Sequence, residues 1–159
     1  MPTIFRPAHV AALLGLSSLL IVGCSDNTVT PATVDHFKAD GLVLVRRGSD
    51  SVIVDSTRVT GSLEVGASDT TGYFDVFFLH GTSRTREVPD DAVHTLWYTI
   101  GDSTLLSIET PPHLDGHTHE HYEFRLRGKK AGTTTLAIHL RHGDHDDYLS
   151  PEIGVKVGP

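Results

Sequence analysis

The stretch Tyr122-Glu-Phe-Arg-Leu-Arg-Gly-Lys-Lys-Ala-Gly-Thr-Thr-Thr-Leu-Ala-Ile-His-Leu140 decides the fold. Tyr122, Phe124 and Leu126 alternate with Glu123, Arg125 and Arg127. Leu136, Ile138 and Leu140 alternate with Thr135, Ala137 and His139. A period of two puts each apolar set on one face of an extended strand. Apolar rows belong inside, so His139, and His121 in the polar row of the first strand, should face solvent. Gly128 to Gly132 interrupts the pattern between the two strands. A tight hairpin there, with Arg127 opposite Thr133, would set His121 opposite His139. A corner would send the strands to different sheets and part the two histidines. The sequence leaves both open.

The same texture extends in both directions. Short β-branched and alternating runs at 41–45, 51–55, 61–65, 73–79, 94–100, 105–109, 119–127, 133–140 and 152–157 read as strands. Turn-rich clusters separate them at 47–50, 66–72, 89–91, 101–102, 128–132 and 142–151. No helical periodicity of useful length occurs after residue 35. Many short strands without intervening helices indicate an all-β antiparallel sandwich or barrel.

The stretches TLWYTIGDSTLLSIE (95–109), YEFRLRGKKAGTTTLAIHL (122–140) and IGVKV (153–157) together resemble a bacterial immunoglobulin-like domain. The resemblance spans roughly residues 94–157; residues 36–93 fit only as further strands. It implies an Ig-like antiparallel β-sandwich over 36–159 and a binding or spacer role rather than catalysis, although a fold alone does not choose a function.

The N-terminus has a different character. Residues 1–9 carry Arg6 and no acid, residues 10–22 (VAALLGLSSLLIV) are apolar apart from two serines, and Gly23-Cys24 follows. This is the order of an export signal, and the apolar run is shorter than the roughly 20 residues that span a bilayer. Ile21-Val22-Gly23-Cys24 resembles the lipobox of bacterial lipoproteins. The resemblance implies a signal peptide at 1–23, cleavage before Cys24 and acyl chains on Cys24 that anchor the protein to a membrane. It places the protein in the bacterial cell envelope, and Ser25 after the cysteine implies the outer membrane in a Gram-negative envelope. Residues 25–35 (SDNTVTPATVD) read as a polar tether, so that 24–35 forms lipidated Cys and linker.

Cys24 is the only cysteine, so no disulfide forms within the chain. Of 13 lysines and arginines only Arg6 lies in residues 1–23, and none of the 20 acids does, so the remainder is more acidic than the whole chain at −7. Such a surface repels nucleic acid and attracts cations. There is no Gly-x-Ser-x-Gly elbow, phosphate loop or His-Glu-x-x-His. Glu109, Glu120 and Glu123 could serve a hydrolytic metal site, but their spacing does not demand one, and the expectation is that the protein is not an enzyme.

Histidine is the outlier. Eleven occur, and all but His9 and His36 fall between His80 and His145. One cluster runs from His113 through His117, His119 and His121; on an extended chain the last three share a side at roughly 7 Å pitch, too wide for one ion without a bend and further ligands. A second cluster holds His139, His142, Asp144 and His145, with Asp146 and Asp147 able to ligate or to orient imidazoles. The candidate metal ligands are therefore His117, His119, His121, His139, His142, His145 and Asp144. Imidazole suits Zn²⁺, Cu²⁺ or Ni²⁺; calcium through the aspartates is weaker, because no twelve-residue calcium loop is present. His36, His80 and His94 read as ordinary surface or hydrogen-bonded residues. The expected function is a membrane-anchored metal buffer, sensor or donor. The alternative is an Ig-like envelope module that binds a protein or polysaccharide partner with no specific metal role.

Overall fold

The computed structural model describes residues 36–46, 49–55, 57–89, 93–112 and 122–159. The expected leader and tether, Cys24 and the histidines from His113 to His121 lie outside these residues. The described residues form β-strands and no α-helix, and no helix among them is long and apolar enough to cross a membrane. The strands are β1 (Gly41–Arg46), β2 (Ser49–Asp55), β3 (Val59–Thr60), β4 (Leu63–Gly66), β5 (Phe74–His80), β6 (Thr85–Glu87), β7 (His94–Ile100), β8 (Leu106–Glu109), β9 (Glu123–Gly128), β10 (Gly132–His142), β11 (His145–Leu149) and β12 (Ile153–Gly158).

They build two sheets. The first has the order β3-β2-β1-β5-β9-β8 and is antiparallel throughout. The outer edge of β5 is shared: Phe74 and Asp75 pair with β9, and Phe78, Leu79 and His80 pair with β6. The second sheet centres on β10. Residues 136–142 of β10 pair with β7, while β12 and then β11 line up along its other edge. β4 joins β12 in parallel, which makes this sheet mixed.

Alternation fixes which rows meet. Leu42, Leu44, Val76, Phe78, Phe124 and Leu126 of the first sheet form one buried cluster with Leu136, Ile138, Leu140, Tyr148, Ile153 and Val155 of the second. Burying each such side chain stabilises the fold by about 1.5–3 kcal/mol. Leu136, Ile138 and Leu140 are fully buried, while His139 lies on the outer face, as the period of two requires.

The turn after Gly128 is a corner. β9 belongs to the first sheet and β10 to the second, so the hairpin that would have set His121 opposite His139 does not form. Lys129 N–H donates to Leu105 O across the corner (2.8 Å). A side chain at Gly128 would overlap the carbonyl oxygen of Gly66, because β4 runs directly over it. Four segments depart from the sequence expectation. Residues 145–149 form β11 rather than part of a turn, β2 begins at Ser49 inside the expected 47–50 turn, and the short β3 and β6 were not anticipated.

Candidate metal centre

β10 ends, and β7 and β11 begin, at one end of the sandwich. His142 is the register partner of His94 on one side and of His145 on the other. It has the same parity as Ile138 and Leu140 and therefore belongs to the inner face. The three imidazoles form a row across three adjacent strands, with ring centroids 4.7 Å apart for His94–His142 and 5.4 Å for His142–His145. His94 is buried. His142 Nδ1 is also buried and has no hydrogen-bond partner among the described residues. A buried polar atom of that kind calls for an explanation.

A β-bulge supplies the carboxylate. Leu140 pairs with Tyr148 and Arg141 with Asp146, so one step of β10 faces two of β11 and Asp147 is the extra residue. The bulge turns the Asp147 side chain inward, leaving it 1% exposed beside the open Asp146. Its Oδ2 accepts Phe37 N–H (2.9 Å) and lies 2.8 Å from His94 Nε2. Its Oδ1 lies 3.0 Å from His36 Nδ1 and 3.2 Å from His145 Nε2. Burial by itself would raise the Asp147 carboxyl, but hydrogen bonds from His36, His94 and the Phe37 amide, with the His36 charge, outweigh it and hold the group well below the usual carboxylate range.

His36 arrives from the segment ahead of β1. The Phe37 ring holds that segment in place, with centroids 4.7 Å from His80, 5.5 Å from Phe78 and 6.0 Å from His94. Its neighbour His36 then sits 5.0 Å from the His145 ring and 6.2 Å from the His142 ring. Four residues, His36, His142, His145 and Asp147, each offer a ligand atom within 4.8 Å of the others. Three of these atoms make a nearly regular triangle: His36 Nδ1 and His145 Nε2 are 3.2 Å apart, and their distances to Asp147 Oδ1 are 3.0 and 3.2 Å. Ligands at about 2.0–2.1 Å around a tetrahedral Zn²⁺ lie about 3.3 Å from one another, close to these spacings. With no ion, two ring nitrogens and one oxygen must share protons among themselves; a cation can replace those protons. The other carboxylate oxygen is already committed to His94 and the Phe37 amide, the outer-sphere orientation that ligating carboxylates use.

Of the residues singled out from sequence, His142 and His145 come together here. Asp144 does not join them: its side chain is fully exposed and touches only the far nitrogen of His145, at 3.4 Å. His139 is on the opposite face of the sheet, with Nε2 2.9 Å from Thr99 Oγ1 and Nδ1 2.8 Å from Asp146. His117, His119 and His121 lie outside the described residues. In the sequence Asp147 stands out only beside its neighbours, and His36 reads as an ordinary surface or hydrogen-bonded residue. No local signal marks either one: the parity of Tyr148 would turn Asp147 outward without the bulge, and the partners of His36 lie 109 and 111 residues away. Compared with protein family models, curated proteins and solved structures, the chain matches none.

Proposed function

We propose that the domain binds one divalent transition metal, Zn²⁺ for preference, through His36, His142, His145 and Asp147, and that it does so as the folded part of a lipid-anchored envelope protein. The supporting observation is the triangle of donor atoms on a bulged carboxylate, beside the buried Nδ1 of His142, which has no hydrogen-bond partner among the described residues. Three imidazoles and one carboxylate suit Zn²⁺ in tetrahedral geometry, with Cu²⁺ and Ni²⁺ as competitors on affinity alone. Support for the anchor is the order Arg6, apolar 10–22 and Ile21-Val22-Gly23-Cys24. The Ig-like reading draws on the two packed sheets and the β9–β10 corner; Trp97 departs from it, because it stands on the outer face rather than in the core. A buffer, sensor or donor of metal ions is the role that follows.

The test is calorimetric titration of the chain from Ser25 with Zn²⁺. One ion per chain at micromolar affinity or tighter is expected, weakened at least 100-fold when His142 and His145 are changed together to Ala. Undiminished affinity in that variant overturns the assignment. A parallel variant with His117, His119 and His121 changed to Ala measures separately what that stretch contributes.

A second reading has its own observation. Trp97 is 57% exposed with the Arg141 guanidinium 5.7 Å from its ring centroid, and Leu149 is exposed on the same outer face. An aromatic and an arginine set in a polar surround are the usual anchors of a partner surface. On this reading the domain is an envelope interaction module; loss of partner binding in Trp97→Ala, with metal binding intact, would favour it.

A further inference from the structure

We propose that the metal acts as a clasp, locking the chain at His36 and Phe37 onto the β10–β11 hairpin, so that occupancy controls how firmly the domain holds its own N-terminal segment. This rests on the metal site proposed above. Three of the four ligands, His142, His145 and Asp147, belong to a single hairpin and stay near one another whatever the N-terminal segment does. His36 is the exception. It precedes β1, and strands β1 through β9 all lie in sequence between it and the other ligands.

Without an ion the segment is held by side-chain contacts: His36 faces His145 Nε2 (3.2 Å), and Phe37 and Ala39 pack against the core. The Asp147 carboxylate receives the Phe37 amide and faces the His36 ring, and the Phe37 side chain packs on Phe78, His80 and His94. Among the described residues, backbone pairing with the body of the domain starts at Asp40, whose amide donates to Leu79 O (2.8 Å). The His36 side chain is about half exposed (52%). Segments held by few buried contacts open locally at much lower cost than the core strands. A ligand that bridges such a segment to a rigid hairpin shifts that local equilibrium by its differential affinity for the closed form. His36 is thus the one ligand outside the hairpin, and its departure leaves the other three together on it. Metal can bind the hairpin first and then draw in His36.

Hydrogen exchange of the chain from Ser25, read by mass spectrometry on peptides covering 36–46 with and without Zn²⁺, tests the clasp. Protection of the Phe37 region is expected to rise at least tenfold on adding Zn²⁺. In His36→Ala, calorimetry should still find one Zn²⁺, bound more weakly, while protection of 36–40 no longer responds to it. If wild-type protein binds no Zn²⁺, the metal site itself is wrong. If it binds Zn²⁺ but protection at 36–40 is the same with and without the ion, the site stands and the clasp is overturned.

Discussion

His94 Nε2 lies 2.8 Å from Asp147 Oδ2, which leaves Oδ1 to face His36 and His145. His94 is not in the ligand group; it fixes the direction of a ligand. Replacing it by Phe keeps a buried ring and removes the polar contact. Zinc affinity is expected to fall about 10- to 100-fold with unchanged stoichiometry, the usual effect of losing an outer-sphere partner. His94→Gln, which keeps a donor, should recover part of the loss. Calorimetry on the two variants checks this, and equal affinities for wild type and His94→Phe would refute a positioning role.

His139 offers the opposite expectation. Strand alternation puts it on the outer face, bonded to Thr99 and Asp146. His139→Ala should leave zinc affinity within about twofold of wild type, because a surface change away from the site rarely shifts a free energy by more than about 0.5 kcal/mol. A tenfold loss in the same titration would mean that the two faces of β10 are not separate.

Tyr148 carries an alkaline signature. Its hydroxyl is buried without a hydrogen-bond partner among the described residues; burial first, and then the charge of Asp55, push its pKa up to about 12. In the unfolded chain a tyrosine ionises near 10, at about its reference value. The folded state therefore holds this proton more tightly. Its contribution to stability is complete below pH ~10 and is lost as pH rises toward ~12. Tyr148→Phe removes the titration and an unsatisfied hydroxyl, so stability at pH 8 should change by less than about 1 kcal/mol. Urea unfolding at pH 8, 10 and 11 should show a flatter decline in the variant; parallel curves would count against the assignment.

Two glycines should respond differently to the same change. A methyl at Gly128 meets the Gly66 carbonyl, whereas one at Gly154 meets nothing within 4 Å. Gly128→Ala is expected to cost about 1–3 kcal/mol or more through overpacking at the corner. Gly154→Ala should fall within about 0.5 kcal/mol of wild type. Chemical denaturation of the two variants gives the comparison directly.

The strand pattern could be read in the sequence where burial is one-sided. Leu136, Ile138 and Leu140 point inward and His139 outward because a slip of one residue would expose the whole aliphatic row. β11 could not be read in the same way. His145-Asp146-Asp147 looks like a polar loop, and only its pairing to β10 makes it a strand. β6, Thr85–Glu87, is exposed throughout and has no apolar row to betray it. The site was half legible for the same reason. His142 and His145 sit close in sequence around the turn at Gly143. Asp147 depends on a bulge, and His36 depends on a contact across almost the whole domain; neither leaves a local trace.

The parallel pairing of β4 with β12 sets an order of events during folding. Leu63 and Val155 are register partners, and β12 is also where the first half of β10 finds its neighbour. Bringing together strands roughly ninety residues apart incurs a large loop-closure cost before any contact repays it, which slows folding. The second sheet cannot close until β12 is present, so β4 waits without its neighbour in that sheet while the roughly ninety residues between the two strands are made.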